Sequence, residues 1–357
     1  MDYLSDTAKA LGISKSTVCK AISHSKYISY DTQRKIIDYI KLHYPEKLDA
    51  RNNAITGNKD TRIISVVMPY KPKFFWDIAI DGMREAMKSF DNDKVSLQFS
   101  FYSGTLHASE ILSVINEVNI DSVDAMAIVP VNSVGISEKI NSISERIPVA
   151  LFNERCDNCN NFISVLGDGY GEGTKIAEMI SDCVADNSKI LIIQPEKYDS
   201  LVLRERIKGF TDTTERLLKG KSVTTESCEV EYPDDINTVE RTKYLYNSLL
   251  PSLMARAISK HLEADENISA VYIPNGNIHP LSIALNKLGR TDIMIFGHET
   301  SRNTHELFMS GSKGGYVEQN IRLQGYIAID ALAEKLINGE KKYPDTYITD
   351  FESNSFR

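Results

Sequence analysis

From Arg62 to Phe296 the chain repeats one alternation, a short apolar run followed by a longer stretch whose apolar residues recur at helical spacing. The strand-like runs are Ile63–Pro69, Val95–Tyr102, Ala125–Pro130, Pro148–Phe152, Phe162–Leu166, Ser188–Gln194, Ser222–Val230, Ala270–Ile273 and Ile293–Phe296, most of them apolar throughout. Helical segments fall between them at Phe75–Phe90, Ser109–Val118, Ser137–Ile143, Tyr170–Asp186 and Val202–Leu218, then near Leu249–Leu262 and Pro280–Leu288. A strand that is apolar throughout must be covered on both faces, and helices wound over a parallel sheet supply that cover. The alternation therefore argues for parallel α/β layers. Val317-Glu318-Gln319 then leads into a last long helix, Ile321–Ile337, in which Gly325 allows close packing.

The first sixty residues follow a different rule. Ala8, Leu11, Ile13, Val18 and Ile22 keep helical spacing but are broken at Gly12, and Ser14 after the break is a ready N-cap. Two short helices around a tight turn result, and Lys15, Ser16 and Thr17 open the second with basic and small polar side chains. In a helix-turn-helix such first-turn residues face base edges in the major groove. Taken alone the segment also fits a plain helical hairpin at a domain edge. A further N-cap at Ser29 and a third helix with Ile36, Ile37 and Ile40 turned inward favour a three-helix headpiece.

At 357 residues and 42% hydrophobic content, the chain suits a headpiece of about 60 residues and a two-lobed core. Its net charge of -8 is unevenly divided: residues 1–62 hold eleven Lys or Arg against seven Asp or Glu, so that part carries +4 and the remainder -12. A basic headpiece that meets phosphates and an acidic body that does not would divide charge in this way. No stretch of about 18 uncharged apolar residues suggests a membrane span, and the first residues lack a secretory pattern, so the expected location is the cytoplasm.

The five cysteines (Cys19, Cys156, Cys159, Cys183, Cys228) form no even disulfide framework. Cys156-Asp157-Asn158-Cys159 is a CxxC without a second pair or a nearby His at ligand spacing, which leaves a metal or redox role as the sharp reading and an exposed loop as the bland one. The seven His show no metal spacing, and Gly-x-Ser-x-Gly, His-Glu-x-x-His, a P-loop and a strand-borne Gly-x-Gly-x-x-Gly are all missing. No catalysis, cofactor or metal is expected.

The set Asp6-x-Ala8, Gly12-Ile13-Ser14-x-Ser16-Thr17-Val18, Tyr27-Ile28-Ser29 and Thr32 closely resembles the headpiece of LacI/GalR-type bacterial transcriptional regulators, and a looser resemblance runs along nearly the whole chain. It implies an all-α three-helix DNA-binding headpiece followed by an α/β type I periplasmic-binding-protein-like core of two doubly wound lobes. The implied division is headpiece 1–46, hinge 47–61 and core 62–357, with a first lobe of about 62–155 and 320–340 and a second of about 160–298 and 345–357. Crossings between lobes would fall near 153–161, 297–320 and 338–349.

The resemblance further implies a homodimer on double-stranded operator DNA, probed through Leu4, Lys15, Ser16, Thr17, Lys20, Ser29, Arg51 and Asn53. Cys19-Lys20 stands where the family usually has Ser-Arg, and Lys lacks the planar two-pronged contact Arg makes with guanine. At the hinge Asn53 occupies the position of the family's minor-groove wedge, so either Ile55 wedges instead or the DNA is bent less. An unstructured tether is the other reading of that stretch.

A small-molecule effector would lie where loops after the strands converge. By residue match the candidates are Asn153, Arg206, Asn275, Glu299 and Gln319, joined by Phe75 and Trp76 as flat faces for a sugar ring or, alternatively, as helix core. Arg and carboxylates clamp vicinal hydroxyls with paired hydrogen bonds, which suits a carbohydrate. The competing class is a small-molecule binding protein, or a sugar-related enzyme of α/β build, without DNA regulation.

Overall fold

The structure, a computed structural model, describes residues 3–22, 30–44, 61–90, 94–103, 107–194, 200–219, 223–230, 249–264 and 267–356. The chain divides into two compact units, Met1–Thr61 and Arg62–Arg357.

In the first unit, helices α1 (Tyr3–Ala10), α2 (Lys15–Ile22) and α3 (Tyr30–His43) surround a small core of Ala8, Val18, Ala21, Ile36 and Ile40. The turn after α1 depends on Gly12, whose φ of 64° lies in the left-handed region, and Ile13 N–H reaches back to the Ala8 carbonyl at 2.9 Å. Ser14 caps α2 by accepting from Thr17 N–H at 3.0 Å. Ser29, Arg51, Asn53, Ile55 and the expected hinge up to residue 60 lie outside the described residues.

The second unit holds two six-stranded sheets. The first is built from β1 (Arg62–Pro69), β2 (Val95–Tyr102), β3 (Ala125–Ile128), β4 (Val149–Phe152), β5 (Ile163–Gly167) and β11 (Thr346–Thr349), in the order β11-β5-β4-β3-β1-β2. The second is built from β6 (Lys189–Gln194), β7 (Thr224–Glu229), β8 (Ile268–Ile273), β9 (Met294–His298), β10 (Gly314–Gln319) and β12 (Phe351–Phe356), in the order β12-β10-β9-β8-β6-β7. The two orders correspond strand for strand. The described pairings are parallel except β10 with β12.

Helices α4 (Lys73–Met87), α5 (Ala108–Glu117) and α6 (Val134–Ser144) belong with the first sheet, and α7 (Gly169–Ser181), α8 (Leu201–Leu217), α9 (Leu250–Ala264), α10 (Ile278–Lys287) and α11 (Arg302–Met309) with the second. The long α12 (Ile321–Asn338) returns to pack on α4 and the first sheet. Side chains alternate across a strand, so β4 sends Ala150 and Phe152 into the core under α4 and α12, and Val149 and Leu151 into the core under α5 and α6. Gly325 does permit close packing: a Cβ there would sit 2.4 Å from the Ala79 carbonyl oxygen of α4. The same device joins α7 to α8, where a Cβ on Gly173 would sit 1.9 Å from the Arg206 carbonyl oxygen.

Three lobe assignments are corrected. The strand after residue 160 stays in the first sheet, with Ala150 opposite Ile163, because the 153–162 connection is a loop that returns to the edge of β4. The strand 346–349 also belongs to the first sheet, beside β5, and only 351–356 joins the second. Strand 314–319 pairs with β9, so the second lobe continues past residue 298. The chain still crosses three times, but at Asp168 between β5 and α7, at Asn320 between β10 and α12, and at Asp350 between β11 and β12. The first and third crossings thus lie outside the expected stretches.

Candidate functional site

The C-terminal ends of strands from both lobes open on one cleft of about 340 Å³. All seven residues proposed for an effector line it: Phe75 and Trp76 from α4, Asn153 after β4, Arg206 from α8, Asn275 after β8, Glu299 after β9, and Gln319 at the end of β10.

Arg206 is the electrostatic centre. Its guanidinium, 3% exposed, donates from Nε to Glu172 Oε2 at 2.7 Å, from Nη1 to the Pro274 carbonyl at 2.9 Å, and from Nη2 toward Glu299 Oε1 at 3.4 Å. Two carboxylates share this cation unequally. Burial pushes the Glu172 carboxyl up, but Arg206 and His298 outweigh it and hold the group below its ordinary value. Glu299 has the longer contact, and burial prevails there, pushing its carboxyl up to about 8 against the pull of Arg206. His298 lies behind them with Nε2 2.9 Å from the Tyr272 hydroxyl, and burial, with Arg206 adding to it, brings its imidazole down to about 4. The site therefore holds one firm ion pair, one proton-retaining carboxyl and a neutral histidine near pH 7.

Gln319 joins the lobes' two strand ends. Its Nε2 donates to Glu299 Oε1 at 2.8 Å, and its Oε1 accepts from Asn153 Nδ2 and from Gln324 Nε2, each at 3.0 Å. Asn153 and Glu299 have φ of 65° and 61°, a left-handed conformation that is unfavourable for Glu in particular. Both side chains reach the Gln319 amide at the cleft.

Phe75 and Trp76 satisfy both readings of them, since each is buried in the first lobe's core and each also borders the cleft. The rings meet edge to face at 4.8 Å, and Trp76 Nε1 donates to the Lys71 carbonyl at 2.9 Å. The more accessible ring is Phe74, 37% exposed at the cleft mouth, which sequence reading passed over.

Glu154 was also missed. It leaves the first lobe beside Asn153 and caps a helix of the second: Oε2 accepts from Ser200 Oγ at 2.5 Å and Oε1 from Val202 N–H at 3.3 Å. Burial raises its pKa despite those bonds. Next to it Arg155 pairs with Glu205 of α8 at 2.6 Å. The available signal was adjacency, because a run of polar residues follows an apolar strand directly at Asn153-Glu154-Arg155.

In the first unit Lys15, Ser16 and Lys20 are exposed on α2. Thr17 is half-buried, with Oγ1 2.8 Å from Ser14 Oγ, and Leu4 packs on the edge of the small core. Among the described residues, no group of three His, Cys, Asp or Glu could hold a metal ion, and no helix is long and apolar enough to cross a membrane.

Solved structures share the fold of this two-lobed body. GanP, a glucose-galactose binding protein from Geobacillus stearothermophilus, is 17% identical with a TM-score of 0.68, over 83% of this chain and 98% of that one. A putative LacI transcriptional regulator from Bacteroides fragilis is 13% identical with a TM-score of 0.67, over 83% and 97%. An ABC transporter solute binding protein from Bacillus halodurans C-125 with bound myo-inositol is 16% identical with a TM-score of 0.65, over 84% and 96%. No curated protein matches the chain. Residues 64–341 match the family described as "Periplasmic binding protein domain". With that match spanning most of its length, the chain belongs to the periplasmic binding protein domain family.

Proposed function

We propose that this protein is a cytoplasmic, sequence-specific DNA-binding transcriptional regulator, a repressor, whose operator affinity is set by a sugar or related polyol held in the cleft. The observation that carries the effector half is the joining of Asn153, Gln319, Glu299 and Arg206 into one hydrogen-bonded array between the lobes. Amide and carboxyl groups at strand ends, with the charged guanidinium of Arg206 from α8 and aromatic carbon beside them, match the alternating hydroxyl and C–H faces of a sugar. Proteins of like fold that bind glucose, galactose or myo-inositol support that chemistry.

The DNA half rests on the spacing of α1, Gly12 and α2 and on the +4 charge of residues 1–62. In a homodimer, Lys15, Ser16 and Lys20 read bases, while Thr17 and Ser29 hold phosphates and Leu4, Arg51 and Asn53 complete the contact with DNA. Effector binding changes the angle between lobes and thereby the spacing of the two headpieces. A coupling of about 1–3 kcal/mol is enough for a working switch.

The test is a mobility-shift assay on fragments of the protein's own upstream region, at several salt concentrations, with and without a panel of sugars. Expected is salt-dependent retardation that one sugar alters by about fivefold or more. Sugars that raise the melting temperature of a protein that retards no fragment would instead establish the second reading, a binding protein without DNA regulation, which the many solute-binding proteins of like fold favour.

A further inference from the structure

The CxxC lies on the segment that delivers Asn153, Glu154 and Arg155 to the cleft, and it is not an open loop. Cys156 is 7% exposed, Cys159 is half-buried, and both pack on the core under α5 and α6. Between them Asp157 and Asn158 form a turn with Asn158 at φ 60°, the left-handed third position that a type II turn needs. Such a turn brings its first and fourth α-carbons within about 7 Å, the range a disulfide spans.

Two asparagines hold the turn in place. Asn132 donates from Nδ2 to Asp157 Oδ2 at 3.1 Å and accepts from Asp157 N–H at 2.9 Å. Asn141 donates to the Asn158 carbonyl at 3.0 Å and accepts from Asn160 N–H at 2.6 Å. Cys156 Sγ lies 3.6 Å from the Ser133 carbonyl.

We propose that Cys156 and Cys159 form a redox-active dithiol, a modification site that a low-molecular-weight disulfide of the glutathione type oxidises to an intramolecular disulfide. The neighbouring Cys159 thiol holds the Cys156 thiol down at about 7, against burial and the nearby carboxylates of Asp157 and Glu154, whereas Cys159 is raised. The attack is assigned to Cys156, and the two serine variants below test that order. Its thiolate attacks the small disulfide, whose S–S bond breaks; a mixed disulfide forms and one thiolate leaves and takes a proton. Cys159 then gives its proton to solvent and its sulfur attacks Cys156 Sγ, expelling the second small thiol. The two protein thiols lose two electrons and two protons in total, and the oxidant becomes two thiols.

The full chain is incubated with oxidised glutathione, free thiols are blocked, and peptides are weighed. Expected is a wild-type protein with Cys156 joined to Cys159 and reopened by dithiothreitol. Cys159→Ser stops with glutathione on Cys156, while Cys156→Ser is modified at neither position of the turn. Raising the pH from 7 to 8 speeds the wild-type reaction less than about twofold, against roughly eightfold for a thiol of ordinary pKa. Free thiols at both positions after incubation, a glutathione adduct that wild-type protein never resolves, or pairing of Cys156 with a cysteine outside the turn would each overturn the proposal.

Discussion

Asn153 and Glu299 are counterparts, each the first residue beyond the third strand of its sheet, each in the left-handed region, and each hydrogen-bonded to the side chain of Gln319. Gln319 thus reads both lobes at once, and ligand hydroxyls entering the cleft meet groups already aimed by the backbone. Replacing Gln319 by Leu removes these two bonds, and the one from Gln324, at similar size. Expected is a loss of about 1–3 kcal/mol of stability, since buried partners lose their bonds, together with a sugar-induced rise in melting temperature reduced to near zero. A Gln319→Leu protein that responds to its sugar as wild type does would remove Gln319 from the binding set.

Arg206 binds and braces at once. Arg206→Ala leaves the Glu172 charge buried without its partner, so denaturant unfolding is expected to report a loss of about 3–5 kcal/mol. Adding Glu172→Gln should restore part of it, because the uncompensated charge is gone. If the double variant is weaker than the sum of its single changes, the ion pair is not the reason Arg206 matters to the fold.

Stability should fall as pH rises above neutrality, and Glu299 supplies the sign. Its folded value of about 8 lies above the unfolded value near 4.5, so the folded state holds a proton the unfolded state has lost between those limits. The stability this contributes is complete below about pH 4.5 and is lost as pH rises through about 8, by at most about 1.4 kcal/mol per unit. His298, brought down to about 4, works the other way: its contribution is present above its ordinary 6.5 and lost as pH falls toward 4. The two slopes cancel over much of the acid range, and only that of Glu299 persists above about pH 6.5. Thermal melts of Glu299→Gln should therefore be flatter than wild type between pH 6.5 and 8; equal slopes would contradict the assignment.

Gly12 should tolerate Asn and resist Val. Among the described residues beyond its two chain neighbours, no atom stands within 4 Å of a Cβ built there, so the φ of 64° decides, and a β-branched side chain in that region is expected to lose about 1–2 kcal/mol. Under the proposed function Gly12→Val weakens operator retardation while the sugar response stays intact, and Gly12→Asn leaves both unchanged.

Lys20→Ala tests the proposed DNA face directly. Expected is weaker retardation with discrimination relaxed at one base pair of the operator, and sugar-induced stabilisation unchanged. A sugar response that falls together with retardation would count against a purely DNA-facing role.

The alternation of strand and helix was legible because inner strands such as β1, β3, β4 and β8 are covered on both faces and so are largely apolar. Strand ends then follow, and with them a cleft; its residues Asn153, Arg206, Asn275, Glu299 and Gln319 were picked out by their match to LacI/GalR-type regulators, not by the alternation. The crossings were harder to see. Nothing in 153–162 distinguishes a loop returning to the edge of β4 from one leaving for another lobe, since strand pairing is decided by tertiary packing. Glu172, fully buried within α7, was invisible for a related reason: helical spacing identifies apolar inward faces, and a carboxylate on that face is stable only because Arg206 on another helix meets it.

The crossings at Asp168, Asn320 and Asp350 leave the lobes almost no slack. Asp168 and Asn320 cap the helices that follow them, accepting from Gly171 and Leu323 N–H at 2.8 and 3.1 Å, and Asn320 Nδ2 lies 3.3 Å from Asp350 Oδ1. Linkers this short resist stretching and yield to torsion, so relative movement of the lobes is a rotation about three neighbouring pivots. The 18-residue α12 begins at one of them and, at about 1.5 Å per residue, reaches some 27 Å away. It is a lever arm: a turn of about 10° at Asn320 carries its far end through about 5 Å, so a small change at the cleft becomes a large displacement at the periphery of the lobe.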